Sequence, residues 1–316
     1  VVVPLRQFAA ALTRQEGDWD GVTAYLDVDS ITTDAVDAAI ANTFAGAGDG
    51  AVSSALKTRY ESLVTPSLRQ GFEETLRTSF DDEPNSAEPT IFMTARLADE
   101  PVSVQVDGDT ATLVLGEEGG AANLEYTMTK NEDGAWRIIG WTNAETTLET
   151  AGGSWWEEYT SSPGYAVARI TITSLTGDWE GFREYVDLDS LTSGLVDAAR
   201  NAAASALLRR NPDNPFADLG VSILQGTKPS LTEEIKAAIR RAVEDRVQSS
   251  EAKSAIASFI GSVPVKLSAT ADTAYVTYES VDDQGETREV VIRLERKGDT
   301  WVLVSFENAS EVVRLR

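Results

Sequence analysis

Leu68, Phe72 and Leu76 fall on every fourth residue, and so do Leu231, Ile235, Ile239 and Val243. That spacing puts each set on one helical face and predicts two amphipathic helices. Ser67-x-x-Gln70 and Ser230-x-x-Glu233 stand in front of them as capping boxes, in which the serine and the side chain three residues on satisfy free backbone N–H groups. Upstream, Leu5, Phe8, Ala9 and Leu12 keep the i, i+3, i+4, i+7 pattern and predict a helix over Leu5–Gln15, closed by Gly17 as its C-cap. Trp19, Val22, Tyr25 and Leu26 line one face of a short helix. Further on the period drops to two. Val102, Val104 and Val106 alternate with polar residues, Asp107-Gly108 is a hairpin turn, and alternation resumes through Leu115. Leu124, Tyr126 and Met128 predict another strand, Lys130–Gly134 a turn, and Trp136–Trp141 a last strand. Thr90–Leu97 is either a further strand or an extension of the helical part.

The same order of elements is written twice. Gly17–Ala39 and Gly177–Ala199 share 13 of 23 residues, 160 positions apart. Thr65–Leu76 answers Lys228–Ile239, Val102–Leu115 answers Val265–Tyr278, and Gly134–Ala144 answers Asp299–Ala309. Ser254–Gly261 occupies the place of Thr90–Leu97. This is a tandem duplication of a unit far longer than a solenoid repeat. The match also decides an ambiguous stretch. Ala168–Leu175 alternates β-branched and polar residues like a strand, but its counterpart near Leu5–Gln15 is helical, so a helix is expected there, ended by Gly177.

The chain is therefore expected to be α+β: two tandem homologous domains, each of about three helices packed on one face of a curved antiparallel sheet of three to five strands. The expected boundaries are 1–148 for the first repeat, 149–162 for an aromatic linker and 163–316 for the second. Gly152-Gly153 and Ser161-Ser162-Pro163 mark the linker as breakers. Inside it stand Trp155, Trp156 and Tyr159. They are expected either to pack between the repeats and fix their angle, or to form an exposed aromatic patch that binds a partner or a sugar.

The run from Pro4 through Gly17-Asp18 to Leu26-Asp27, repeated from Pro163-Gly164-Tyr165 through Gly177-Asp178 to Val186-Asp187, resembles a bacterial family of unknown function. Its members place a Pro-Tyr-like start just after an N-terminal membrane anchor, then a helix, a Gly-Asp and a hydrophobic-Asp pair. The helix-then-sheet order is similar to the cystatin-like and nuclear-transport-factor-2-like superfold. The resemblance implies an exported or membrane-tethered location and brings no catalytic residue with it. This chain departs from the pattern in carrying two copies and in placing Trp19 and Trp179 after the Gly-Asp.

Composition narrows the chemistry. With 27 basic and 51 acidic residues the chain carries a net charge of −24. A polyanion needs a basic stripe to meet it, so nucleic acid and anionic membranes are unsuitable partners. The charge is uneven: residues 1–150 hold 9 basic and 26 acidic groups, net −17, and residues 151–316 hold 18 and 25, net −7. A cationic partner would prefer the first half. Cysteine and histidine are absent, which removes thiolate nucleophiles, disulfides, structural zinc and imidazole acid–base chemistry. No apolar run approaches the roughly 18 residues of a membrane span. A cysteine-free chain suits export from a bacterium, and Val1-Val2-Val3-Pro4 is expected to be the tail of a removed signal or anchor segment, or simply a trimmed start.

The repeated carboxylates are the obvious candidates for chemistry. Asp27 and Asp29, with Asp187 and Asp189, form D-x-D-S twice. Calcium ligation or general-base work are the functional readings, but the further oxygens and the glycine of a calcium loop are missing. The preferred expectation is structural: Asp29 or Ser30, and Asp189 or Ser190, cap the helix that starts near Ile31 and its counterpart, as Ser67 and Ser230 cap the next. Trp19, Trp136, Trp179 and Trp301 recur at matched positions and are expected to anchor cores. Gly46-x-Gly48-x-Gly50 lacks the Lys-Ser/Thr of a phosphate loop, and Asn308-Ala309-Ser310 is a lone sequon. No cofactor or metal is expected. The leading expectation is a non-catalytic extracytoplasmic protein that binds another protein or a small ligand. Its rivals are a small-molecule or enzymatic site in the hollow of one repeat, using Asp or one of Tyr126, Tyr275 and Tyr278, and a building block of a surface assembly.

Overall fold

The computed structural model describes residues 19, 23–48, 50–81, 102–116, 123–151, 153–210, 229–248, 263–281 and 287–308. The predicted helix at Leu5–Gln15, its Gly17 cap, and the segments Thr90–Leu97 and Ser254–Gly261 lie outside them. The chain is mixed α+β, with two separate four-stranded antiparallel sheets, each a simple meander in sequence order. Contacts divide it into unit 1, Val1–Ala45 with Val64–Thr160, and unit 2, Gly46–Leu63 with Ser161–Arg316. Among the described residues no helix is long and apolar enough to cross a membrane.

In unit 1, α1 runs Val28–Thr43; α2 runs Ala51–Asp81, its residues up to Leu63 grouped with unit 2 and those from Val64 on with unit 1. The sheet follows as β1 Val102–Asp107, β2 Thr110–Leu115, β3 Leu124–Lys130 and β4 Trp136–Trp141. These are the strands that the alternation predicts. Ala111, Leu113 and Leu115 of β2 and Leu124, Tyr126 and Met128 of β3 share one buried face of the sheet; Ile31, Ala35 and Ile40 of α1 and Phe72 and Leu76 of α2 are buried as well. Two short helices come after the sheet, α3 Ala144–Ala151 and α4 Gly153–Thr160. The expected linker at 149–162 is thus largely helical. Its breakers are helix boundaries: Gly153 turns with φ +50°, while Ser162 caps and Pro163 opens the next helix.

The helix α2 overrides a prediction. Ser67 does not cap its start, because the helix is continuous for 31 residues with Pro66 inside it. The reason is an apolar stripe that begins earlier than the capping box. Leu56, Tyr60, Val64, Leu68, Phe72 and Leu76 fall every fourth residue and are all buried. Pro66 is exposed, and the Ser67 hydroxyl donates to the Val64 carbonyl at 2.9 Å rather than acting as a cap. An internal proline costs about 3 kcal/mol, and six buried side chains along the helix outweigh it.

In unit 2, α5 spans Pro163–Thr176, α6 Trp179–Glu184, α7 Leu188–Arg210 and α8 Pro229–Gln248. The strands are β5 Val263–Ala269, β6 Thr273–Val281, β7 Thr287–Lys297 and β8 Thr300–Phe306. The β-branched run inside α5 is helical, as the repeat match predicts. Gly177 ends it with φ +78°, and a Cβ there would stand 3.3 Å from the Val247 carbonyl oxygen, so the position needs glycine for its backbone and for space. The core joins Ala166, Val167 and Ile170 of α5 to Val276, Ile292 and Leu294 of the sheet, with Trp301 in it and Trp179 packed at its margin. Ser230 is the second residue of α8, inside the helix rather than in front of it. Of the stripe along α8, Ile235 is exposed and Val243 is packed against the core.

The units also share details that no single helix or strand predicts. β4 and β8 each carry a bulge against the preceding strand, with Ile139 and Val304 the extra residues opposite Thr127/Met128 and Arg293/Leu294. Just after the last strand, Asn143 accepts from the Glu125 N–H at 2.9 Å and donates to the Asn123 carbonyl at 2.8 Å. Asn308 accepts from the Val291 N–H at 2.9 Å and donates to the Glu289 carbonyl. The asparagine of the lone sequon is a clamp that ties the end of the meander to its neighbour strand.

Candidate functional site

The segment written most nearly alike in the two halves, Tyr25-Leu26-Asp27-Val28-Asp29-Ser30 and Tyr185-Val186-Asp187-Leu188-Asp189-Ser190, makes the same connection twice. Leu26 bridges in parallel to Ile138 of β4, and Val186 to Leu303 of β8. In unit 1 the Asp27 N–H donates to the Ile138 carbonyl at 2.8 Å and the Ile138 N–H to the Tyr25 carbonyl at 2.9 Å. In unit 2 the Asp187 N–H donates to the Leu303 carbonyl at 2.9 Å and the Leu303 N–H to the Tyr185 carbonyl at 2.8 Å. Leu26 is wholly buried and Val186 nearly so. The chain is held as a strand up to the aspartate, so the helix has to start directly after it.

That geometry moves the cap by two residues from the expected place. Asp27, not Asp29 or Ser30, caps α1, accepting from the Ser30 N–H at 3.2 Å. Asp187, not Asp189 or Ser190, caps α7, with its Oδ1 accepting from the Asp189 and Ser190 N–H groups at 3.1 and 3.0 Å. The Ser190 hydroxyl donates to the other carboxylate oxygen at 2.9 Å. Each capping aspartate also meets a cation. Arg137 of β4 stands 3.8 Å from Asp27, and Lys297, at the end of β7, stands 2.6 Å from Asp187. The two cations come from different strands, so the units reach one electrostatic arrangement by different residues. Asp29 and Asp189 lie outward in the first turn of their helices, paired with Arg69 of α2 and Arg240 of α8, and acidic groups in a first turn also face the favourable end of the helix dipole.

The carboxylates thus spend their lone pairs on the fold. Burial pushes the Asp187 carboxyl up, but the Lys297 ammonium and the Ser190 donors outweigh it and bring it down to about 2. A carboxylate so acidic is a poor proton acceptor at neutral pH. Among the described residues no group of three or more acidic side chains is placed to hold a metal ion. The candidate tyrosines do not converge. Tyr126 is buried and stacks on Trp141 at 6.3 Å. Tyr278 is buried, and burial pushes its phenol well above the ordinary value. Tyr275, three residues away on β6, faces the other side of the sheet and is exposed.

The linker aromatics are corrected as well. Trp155 is 2% exposed and Tyr159 is buried. Trp155 meets Phe72 edge to face at 5.0 Å, stacks on Tyr159 at 6.2 Å, and donates its indole N–H to the Leu68 carbonyl at 3.3 Å. The Thr43 hydroxyl donates to the Ala39 carbonyl at 2.7 Å, which leaves its oxygen to accept from the Tyr159 hydroxyl. All these partners belong to unit 1. Trp155 and Tyr159 are buried residues of that unit and not an exposed patch. Trp156 alone of the three is half-buried.

One carboxylate outside the repeated D-x-D-S belongs to unit 1 alone. Asp34 of α1 accepts from the Trp141 N–H at 2.7 Å, next to Gly140, where a Cβ would stand 3.1 Å from its oxygen. In the second repeat these positions are Gly194 and Ser305. Burial raises the Asp34 pKa, the Trp141 N–H lowers it, and Asp37 raises it. The paired change Asp34/Gly140 to Gly194/Ser305 was the available signal. Asp34→Ala leaves the Trp141 N–H without its acceptor and is expected to destabilise unit 1 by about 1–3 kcal/mol, measurable as a lower denaturant midpoint.

No family model matches the chain, and no curated protein or solved structure matches it.

Proposed function

We propose that the chain is a non-catalytic binding protein that acts outside the cytoplasm of a bacterium, with each repeat a variant of the cystatin-like or nuclear-transport-factor-2-like fold. The observation that carries the reading is the use made of the repeated aspartates. Asp27 and Asp187 each serve a helix cap and an ion pair, so the most strongly repeated polar residues account for folding and leave chemistry without an evident agent. A helical layer followed by a four-stranded meander supports the fold reading. The absence of cysteine and the resemblance at Pro163–Asp187 support the compartment.

The test sets a protein partner against a small ligand. The full chain, crosslinked in an extracytoplasmic fraction of its source cells, is expected to give a discrete, saturable protein adduct. Its melting temperature is expected to stay level across a panel of metabolites and divalent cations. A metabolite that raises the melting temperature saturably, and loses that effect in Asp34→Asn, would replace this reading by a small-molecule site in unit 1.

A further inference from the structure

We propose that β1 is a docking edge, which takes an extended lysine- or arginine-rich segment of another protein as a fifth strand of the unit 1 sheet; the inference rests on the binding-protein reading and names the kind of partner. β1 pairs with β2 in an unbroken register from Val102↔Leu115 to Asp107↔Thr110, and it has no other strand partner among the described residues. Ser103, Gln105, Val106 and Asp107 are exposed, Val106 to 42%. Val106 shares the inward face with Ala111, its partner on β2, so its exposure marks apolar surface at the margin of the core face. In an antiparallel pair the backbone groups point alternately to the partner and away. Counting back from the hairpin-closing pair Asp107↔Thr110, the N–H and C=O of Val106 and Val104 point away from β2.

The second repeat shows what a defended edge looks like. β5 stands at the same place in its own sheet. It carries a bulge between Pro264 and Lys266, and Lys266 is exposed. A bulge and an edge lysine are the usual devices that stop a sheet from adding a strand. At the position of Lys266, β1 has Ser103, and its register has no bulge. Duplicated from one unit, the two edges differ in just the features that govern strand addition.

Charge selects the occupant. Residues 102–116 include Asp107 and Asp109 and no lysine or arginine, and both aspartates are exposed. A second copy would bring two halves of net −17 together, whereas a basic strand meets opposite charge. Alternation then fixes its pattern: apolar residues beside Val104 and Val106, basic residues on the face of Gln105 and Asp107.

The probe is a fluorescent, end-blocked peptide, Lys-Val-Lys-Val-Lys-Val-Lys, titrated with the full chain and followed by anisotropy. Saturable binding that weakens with salt is expected, with at least tenfold weaker binding for the glutamate counterpart. Val104→Pro removes an outward N–H without breaking a bond to β2 and is expected to weaken binding at least tenfold. Ser103→Lys, which copies β5, weakens it too, and Leu267→Pro in β5 leaves it unchanged. Peptide-induced hydrogen-exchange protection at the Val104 and Val106 amides supports the edge even where a variant folds poorly. Its absence overturns the proposal, as do equal binding of both peptides, equal binding by Val104→Pro, or a Val104-dependent dimer of the chain alone. A natural partner captured equally by wild type and a folded Val104→Pro overturns the edge and leaves the binding-protein reading standing. Edge-dependent peptide binding without any natural partner does the reverse.

Discussion

Trp155→Ala is expected to lower the stability of unit 1 by about 3–5 kcal/mol, the range for removing a buried tryptophan. The ring touches Phe72 and Tyr159 and its N–H is bonded to the Leu68 carbonyl, so truncation opens a cavity and loses the indole hydrogen bond in the same step. For a unit of this size the loss corresponds to a fall of roughly 8–20 °C in melting temperature. Trp156→Ala, at a half-buried site, is expected to cost less than half as much. Calorimetry on the two variants decides the matter. Should Trp155→Ala melt like the wild type while partner binding disappears, the ring is a binding residue after all and its place in the core is wrong.

The error about these rings has a physical source. Gly152-Gly153 and Ser161-Ser162-Pro163 are read equally well as linker punctuation or as the ends of helices. Only the burial of the aromatics on a neighbouring helix chooses between them, and that contact lies 87 residues away in sequence for Trp155 and Leu68. The strands were legible because alternation is a local property that one buried face enforces. Ala168–Leu175 was legible only because the chain repeats: locally it has a strand's alternation, and α5 is helical all the same. Pro66 misled for the opposite reason. A capping box is a local signal, and the stripe from Leu56 to Leu76 is a longer one that includes it. The D-x-D-S turn was recognised as a cap, but two residues late, since the bridge from Leu26 to Ile138 that sets the helix start is a tertiary contact. Asp34 is not legible from the repeat because its meaning lies in a difference between the two units, Asp34/Gly140 against Gly194/Ser305.

Asp187 offers the sharpest separation of these effects. Asp187→Ala removes a cap, which is worth about 1 kcal/mol, together with hydrogen bonds to a charged group, and about 2–3 kcal/mol in all is expected. Asn caps nearly as well as Asp, so Asp187→Asn keeps the bonds from Asp189 and Ser190 and loses mainly the attraction to Lys297. Lys297 is half exposed, and solvent screening brings that contribution to about 1 kcal/mol. The pH dependence carries the sign. The folded carboxyl, at about 2, is more acidic than an unfolded aspartate near 3.9. Its stabilisation is therefore full above the unfolded value and is lost as the pH falls towards 2. The stability gap between wild type and Asp187→Asn is expected to be level from pH 6 to 8, to shrink below pH 4 and to close near pH 2. A gap that persists unchanged at pH 2 would mean that packing, not charge, holds Asp187 in place. Loss of partner binding at unchanged stability would make the aspartate a contact residue and remove the observation on which the binding-protein reading stands.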